Sequence, residues 1–172
     1  MDKYGVRLVW IGMSGMKWED LQSNIRGLLR FYGIPAAILI HCGGNDIGNH
    51  NTPCGYLLYQ MKVTFASIMI ELLPGCPIIW SSILPRLSWR YSNNTSRMER
   101  TRKRINRHVR SFLLKRNCYI IKHTDFDDKL PALFADDGVH LSFIGYDIFI
   151  NTLQGALETF FSYPDVHIYP YC

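Results

Sequence analysis

Apolar residues follow two patterns along the chain. Short runs rich in β-branched and aromatic residues predict β-strands, and segments in which apolar residues recur every three or four positions predict amphipathic helices. The predicted strands are residues 6–11, 36–41, 77–84 and 118–122. A helical pattern follows each of them, and Ser142 has the position of an N-cap before the last helix.

This alternation of strands and helices predicts an α/β fold. Strands that are joined by helices pair in parallel through right-handed crossovers and carry helices on both faces, which gives a doubly wound sheet in a three-layer α/β/α arrangement. Ligands of such sheets bind beyond the carboxyl ends of the strands. The segments to inspect for function are therefore the loops 12–17, 42–54, 84–96 and 123–141.

Length and composition indicate one folded domain. A chain of 172 residues with 48% hydrophobic and 19% charged residues fits a single core. We assign residues 1–161 to this domain and residues 162–172 to an irregular tail. No apolar stretch approaches the roughly 20 residues that cross a bilayer, and the N-terminus lacks the apolar core of a signal peptide. These features predict a cytoplasmic protein with no membrane partner.

The cysteines and histidines give no sign of a metal or a cofactor. Five scattered cysteines contain no Cys-x-x-Cys pair and are predicted to be free thiols. His41 and His123 end strands, but neither has a partner at a spacing typical of metal ligands. The sequence also lacks the Gly-x-Gly-x-x-Gly motif of dinucleotide-binding proteins. We therefore predict neither a metal nor a cofactor.

The positive charge is concentrated in one segment. Residues 97–116 hold nine of the nineteen lysines and arginines and a single acid, Glu99, whereas the whole chain carries a net charge of +5. Apolar residues recur at helical spacing through this segment, which favours an amphipathic helix with a solvated basic face. A nucleic-acid-binding surface is the less favoured alternative.

Two motifs that could carry chemistry lie in the loops that follow predicted strands. Gly43-Gly44-Asn45-Asp46 follows the second strand, and Asp137-Gly138-Val139-His140 precedes the last helix. A carboxylate three residues before a histidine on a tight turn can bond the ring Nδ1 and leave Nε2 as a general base. An asparagine amide on a glycine-rich turn can donate to an oxyanion. Each motif alone is typical of an ordinary turn.

Together, and in this order, the two motifs resemble the SGNH (GDSL-type) hydrolases, whose third block is Gly-x-Asn-Asp and whose fifth block is Asp-x-x-His. The resemblance implies a flavodoxin-like sheet and hydrolysis of a small carboxylic ester. It implies that His140 is the base, that Asp137 orients it, and that Asn45 and Gly15 form the oxyanion hole. Residues 79–86 and 137–142 also resemble the SGNH-like domains of vertebrate proteins related to mobile elements.

The family's first block, which carries the nucleophilic serine at the end of the first strand, has no counterpart here. Only fourteen residues precede Gly15, so the N-terminal strand of the family is apparently missing. Ser14 is a weak candidate nucleophile, because the nucleophile elbow is Gly-x-Ser-x-Gly and Met16 occupies its last position. We expect an inactive ester hydrolase-like domain. The alternatives are a non-catalytic interaction module, which could bind nucleic acid through the basic helix, and an incomplete gene model.

Several further residues lie beside the predicted site. Asp46, Arg86 and Trp89 are candidate pocket residues. The simpler interpretations are a loop-bonding carboxylate for Asp46 and, for Trp89 and Arg90, a packed aromatic with a surface arginine. Ser81 and Ser82 are predicted to form hydrogen bonds at the end of the third strand. Without the family's first strand, we expect residues 6–11 to lie beside a gap or to pair with residues 36–41.

Overall fold

The computed structural model describes residues 5–170. Residues 1–4, which begin the predicted domain, and residues 171–172, which end the predicted tail, lie outside this range. Within it the chain forms four α-helices: α1 (Leu21–Tyr32), α2 (Cys54–Ser67), α3 (Thr95–Leu114) and α4 (Phe143–Ser162). It also forms four strands: β1 (Ile38–Ile40), β2 (Ile78–Ser81), β3 (Tyr119–Ile121) and β4 (Ile168–Tyr169). None of the helices in this range is long and apolar enough to cross a membrane.

All four strands form one parallel sheet in the order β1-β2-β3-β4. Trp80 at the centre of the sheet pairs with Ile40 of β1 on one side and with Ile120 of β3 on the other. The predicted parallel α/β architecture is therefore confirmed. The carboxyl ends of β1, β2 and β3 lie at one edge, which is where their loops can meet.

Helices cover both faces of the sheet. Side chains alternate between the faces along each strand, so Trp80 packs in the cluster that lies under α1, α2 and α3, whereas Ile79 packs against α4. Each step from one strand to the next moves the same way across the sheet, yet α4 lies on the face opposite to α2 and α3. The β3-α4-β4 crossover, which leads to a strand that the sequence did not predict, therefore has the opposite hand to the other two.

The predicted strand at residues 6–11 does not form. These residues have no regular secondary structure, and Leu8 and Trp10 are 54% and 58% exposed. A strand is stable only with a neighbour that accepts and donates its backbone hydrogen bonds, and neither this segment nor β1 supplies that pairing for the other. In the described part of the chain β1 is consequently an edge of the sheet.

The segment predicted as an irregular tail contributes the opposite edge. Ser162 ends α4, and Ile168–Tyr169 then pairs with β3 as β4. Ile120 N–H donates to the His167 carbonyl at 2.9 Å, and Lys122 N–H donates to the Tyr169 carbonyl at 2.7 Å. Two residues are too short a run for an apolar pattern to be recognised, which is why the sequence did not predict this strand.

The helices begin and end close to their predicted positions. Ser142 caps α4 as predicted, since its Oγ accepts a hydrogen bond from Gly145 N–H at 3.1 Å. The second helix continues beyond α2 as a π-helical turn at Ile68–Leu72. Periodic segments of this length are the patterns that a sequence shows most clearly.

A buried ion pair joins α3 to the end of β2. Arg102 lies in the basic helix but is buried, and its guanidinium donates to both carboxylate oxygens of Glu99 and to the Ile83 carbonyl, the last at 2.8 Å. Burial alone would raise the pKa of Glu99, but the hydrogen bond and charge of Arg102 lower that pKa overall. Asn106 bonds both the N–H and the C=O of Ile83, at 3.1 and 2.9 Å. Helix α3 therefore fixes the start of the loop that contains Arg86.

We predict that Arg102→Ala destabilises the fold by about 3–5 kcal/mol, because it leaves the Glu99 carboxylate buried without its partner. The exposed Arg107 forms no ion pair within residues 5–170, and Arg107→Ala as a matched control should change stability by less than about 0.5 kcal/mol. Urea denaturation of the three proteins measures both effects. Equal stability of the two variants would show that the buried pair does not hold the fold.

Candidate functional site

The Asp137–His140 turn holds its imidazole in a defined orientation. Asp137 Oδ1 accepts hydrogen bonds from the backbone N–H groups of Val139 at 2.8 Å and His140 at 2.9 Å, and its Oδ2 accepts one from His140 Nδ1 at 2.5 Å. The Val139 N–H, followed by the His140 side chain, lowers the pKa of Asp137 to about 2. Asp137 is therefore ionised at neutral pH, and the predicted pairing of carboxylate and imidazole is present.

Gly138 connects this turn to the loop after β2 through backbone hydrogen bonds. Its φ of 66° favours glycine, and a Cβ at this position would come within 3.0 Å of the Leu87 Cβ and 3.2 Å of Ser88. The Gly138 carbonyl accepts hydrogen bonds from the N–H groups of Leu87 at 2.8 Å and Ser88 at 3.0 Å. The loop that carries Arg86 and the turn that carries His140 are thus joined through their backbones.

The Asn45 side chain connects two other loops. Its Oδ1 accepts a hydrogen bond from Arg86 Nη2 at 3.0 Å, and its Nδ2 donates to the Met16 carbonyl at 3.0 Å. Because a guanidinium can only donate and a carbonyl can only accept, these partners fix the orientation of the amide. The second N–H of Nδ2 has no acceptor among residues 5–170, so it is available to an oxyanion.

Gly15 lies in the turn that Asn45 holds. Met16 N–H donates to the Met13 carbonyl at 3.4 Å, and Gly15 within this turn has a φ of 69°. No acceptor in the described chain bonds the Gly15 N–H. The hydrogen bond from Asn45 to Met16 therefore brings together the two groups that the sequence predicts as oxyanion donors, each with an unused N–H.

Arg86 lies between the Asn45 side chain and the Asp137–His140 turn. Its guanidinium stacks over the Trp89 ring at 5.4 Å from the centroid. Burial lowers the pKa of Arg86, and the negative charge of Asp137 opposes that shift. A Cβ on Gly44 would come within 2.8 Å of Arg86 Nη2, so the second glycine of the motif leaves room for this contact. The structure thus places the predicted residue Arg86 beside Asn45, whereas Trp89 is a buried ring that packs against Arg86.

Asp46, in contrast, lies below the loop surface. It is buried, and its Oδ2 accepts a hydrogen bond from Trp18 N–H at 3.0 Å. Burial raises the pKa of Asp46 to about 6, although the Trp18 N–H opposes the shift. Its position matches the simpler interpretation of a loop-bonding carboxylate, since it ties the segment after Gly15 to the segment that carries Asn45.

Ser81 and its two histidine neighbours form a separate cluster at the ends of β1, β2 and β3. Ser81 Oγ is buried between His41 Nδ1 at 2.8 Å and His123 Nε2 at 2.7 Å. Burial lowers the pKa of His123 to about 3, so this ring is neutral. Ser81 therefore acts as the hydrogen-bonding group predicted at the strand end. In residues 5–170 no three histidine, cysteine or acidic side chains come together to hold a metal ion.

The described residues supply no activated nucleophile beside His140. The His140 side chain is 79% exposed, and no hydroxyl group of residues 5–170 forms a hydrogen bond with its Nε2. Ser14 is exposed on the turn next to Gly15 and forms no hydrogen bond with His140. The described chain thus contains the residues that the sequence predicts as base, orienting acid and oxyanion donors, with Asp137 bonded to His140 and Asn45 bonded to the turn of Gly15.

Sequence reasoning missed the contacts that hold these parts in place. Arg102 and Asn106 fix Ile83, and Arg86 orients Asn45 from 41 positions away in the chain. The helical pattern in the sequence does not distinguish a buried arginine from exposed ones. The one available signal was the position of Arg86 directly after a strand end, which marked it as a site residue without showing its partner.

The pairing of Asp137 with His140 makes a testable prediction about the imidazole. With Nδ1–H bonded to the carboxylate, the neutral ring should carry its proton on Nδ1 and leave Nε2 free. Long-range ¹⁵N–¹H NMR correlations at neutral pH report the tautomer. Asp137→Asn should give a mixture of tautomers, whereas Asp136→Asn, at the neighbouring carboxylate, should not. A dominant Nε2–H tautomer in the unsubstituted protein would contradict the proposed orientation.

The raised pKa of Asp46 predicts how stability depends on pH. The folded state binds the Asp46 proton more tightly than the unfolded chain does, so the stability is greatest below the ordinary value of 3.8, falls as pH rises to about 6 and is constant above it. Asp46→Asn should remove this decline and stabilise the protein at pH 7 by at most about 3 kcal/mol. Urea denaturation between pH 4 and 7 tests this, with the exposed Asp128→Asn as the control. An unchanged pH dependence in Asp46→Asn would refute it.

Comparisons with known proteins were made by sequence and by structure. No family model and no curated protein matches the sequence. Several solved structures share the fold. A GDSL-like lipase from Bacteroides thetaiotaomicron matches with a TM-score of 0.69 and 19% identity over 87% of this chain and 74% of that one. The acetylxylan esterase Axe2 from Geobacillus stearothermophilus matches with a TM-score of 0.65 and 22% identity over 89% and 73%.

The third match is the esterase domain of the ORF1 protein from the zebrafish ZfL2-1 retrotransposon. Its TM-score is 0.52, at 20% identity over 92% of this chain and 90% of that domain. These identities are low, so the matches establish the fold and leave the activity to be argued from the site. The chain has the fold of the SGNH, or GDSL-type, hydrolases, and the esterase domain of a mobile element is among the proteins that share it.

Proposed function

We propose that Asp137, His140, Asn45 and Gly15 form the acid-base and oxyanion parts of a carboxylic ester hydrolase site. The observation that carries this proposal is the hydrogen bond of 2.5 Å from His140 Nδ1 to Asp137 Oδ2. It fixes the face of the imidazole that a general base uses, and a turn that served only as a connection has no need of it. The esterases and lipases that share the fold support the same reaction class.

Each residue has a defined part in that reaction. A serine hydroxyl placed at His140 Nε2 would transfer its proton to the imidazole as its oxygen attacks the ester carbonyl. The carbonyl oxygen would become an oxyanion, to which Gly15 N–H and the free N–H of Asn45 donate. The imidazolium, stabilised by ionised Asp137, would then return the proton to the leaving alcohol. Water would release the acyl group by the same steps in reverse order.

Arg86 adds a positioning role to this scheme. By donating to Asn45 Oδ1, it keeps the nitrogen of that amide turned towards Met16 and the proposed oxyanion position. Its positive charge, close to Asp137, would also favour the negative charge that develops on the carbonyl oxygen. The proposed substrates are small esters or acyl groups, since the base lies on an exposed turn.

We further propose that the 172-residue chain alone does not turn over esters by a serine mechanism. No hydroxyl within residues 5–170 is held by His140, and loss of a nucleophile in a serine hydrolase costs on the order of 10⁶-fold in turnover. Measurable activity would therefore require a nucleophile from a segment outside these residues.

The test combines turnover with covalent labelling. Hydrolysis of p-nitrophenyl acetate by the purified chain should equal that of His140→Ala, and a fluorophosphonate probe should leave the chain unlabelled. Ser14→Ala is the matched control, because Ser14 adjoins the proposed oxyanion donor Gly15. Stoichiometric labelling that disappears in Ser14→Ala would show that the chain is an active serine esterase and that the proposed inactivity is wrong.

A further inference from the structure

One face of α3 carries a row of exposed cations. Residues three and four apart lie on the same side of a helix, about 5–6 Å from one another, and a helix of 20 residues is about 30 Å long. The buried positions of α3 face the core, and the opposite side, together with the turn that follows the helix, forms what we call the basic face. Its seven exposed members are Arg97, Arg100, Lys103, Arg104, Arg107, Lys115 and Arg116.

The basic face has almost no compensating negative charge. The single acid of the segment, Glu99, is buried against Arg102 and also lies 3.6 Å from Lys129. Of the basic face, only Lys103 approaches a carboxylate within residues 5–170, at 4.0 Å from Glu99. Like charges at these spacings destabilise a helix, so the arrangement has a cost that the fold itself does not offset. A polyanion would offset it.

A lipid surface does not fit this face. Helices that lie on membranes insert an apolar face between the lipids. The apolar residues of α3, such as Ile105 and Val109, are completely buried in the protein core, and no large hydrophobic residue of α3 is exposed. The fitting partner is therefore a polyanion in water.

The composition of the basic face favours phosphate over carboxylate. Five of its seven members are arginines, whose planar guanidinium matches a phosphate in two simultaneous hydrogen bonds and also stacks on bases. A row of cations at regular spacing suits a ligand whose negative charges repeat, as in the backbone of a nucleic acid.

An exposed ring on the neighbouring helix α2 favours a single strand over a duplex. Helix α2 runs alongside α3 in the same direction. Gly48, which precedes α2, lies close to Met98 near the start of α3, and Lys62 Nζ, later in α2, lies 6.0 Å from the centre of the Phe112 ring near the end of α3. Tyr59 precedes Lys62 by one turn of α2 and is 62% exposed. Unpaired bases stack on such rings, whereas α3, packed against α2 and the sheet, does not protrude as a helix that enters a DNA groove does.

We propose that the basic face of α3, together with Tyr59, binds single-stranded nucleic acid through its phosphates. The surface is separate from the Asp137–His140 turn and does not depend on the ester chemistry. Arginines supply the contacts to phosphate, and Tyr59 supplies a ring on which a base stacks.

Fluorescence anisotropy with a labelled 20-nucleotide oligouridine tests the proposal across a salt series. If the basic face neutralises four phosphates, a plot of the logarithm of the association constant against the logarithm of salt concentration should have a slope of about −3. Each phosphate contact to a single strand contributes about −0.7 to this slope. The variant Arg100→Gln/Arg104→Gln/Arg107→Gln should bind at least about tenfold more weakly, with a slope less steep by about 2. Tyr59→Ala should lower the affinity about tenfold without changing the slope.

The control removes the same charge elsewhere. Arg26, Arg30 and Arg90 are exposed outside the basic face, and their triple replacement by Gln should leave affinity and slope unchanged. A thermal melt verifies that all variants fold. If both triple variants bound the oligonucleotide equally weakly, the loss of affinity would depend only on net charge, and the proposal would be overturned. Polyglutamate or phosphatidylserine vesicles that competed for the protein as effectively as unlabelled oligonucleotide would also overturn the proposal. Duplex binding that is as tight as single-strand binding and insensitive to Tyr59→Ala would overturn the assignment to single strands.

Discussion

The amide of Asn45 is the contact on which the arrangement of the site depends. It accepts from Arg86 and donates to Met16, so one side chain connects the loops after β1 and β2 to the turn that contains Gly15. A short polar side chain can satisfy such different partners only if both are held at hydrogen-bonding distance. Those partners are positioned by groups deeper in the fold: Asp46 bonds Trp18 below the Gly15 turn, and Arg102 and Asn106 bond Ile83 below the Arg86 loop.

His140, the proposed base, belongs to the same framework through a different kind of link. The Gly138 carbonyl is bonded by two consecutive backbone N–H groups of the Arg86 loop, so His140 and Arg86 share a support made of main chain alone. This division is physically reasonable, because the main chain restrains an exposed turn at a small entropic cost, whereas the proposed donor Asn45 depends on how its side chain is oriented. It also explains how an exposed histidine can remain oriented.

The sequence predicted local features well and long-range contacts poorly. Asp137 and His140 lie three positions apart, so their four-residue motif contains the whole interaction. The periodic spacing of apolar residues predicted the long helices, and unbroken apolar runs predicted β2 and β3. Residues 6–11 are similarly apolar, but no strand lies beside them. An apolar run does not show whether the fold provides a neighbouring strand to pair with it. The bond between Asn45 and Arg86, and the burial of Arg102 in a helix full of exposed arginines, depend on the tertiary fold and leave no local signal.

The position of β1 at the edge of the described sheet affects how the chain behaves at high concentration. Edge strands usually carry charges or prolines that discourage other chains from pairing with them. The residues of β1, Ile38 to Ile40, are all apolar and uncharged, and the exposed segment 6–11 contributes apolar surface of its own. We expect such an edge to be a template for strand addition, in which case mass action as well as folding sets the monomer's share of the population. Its solubility and its stability are then separate properties, governed by different parts of the same sheet.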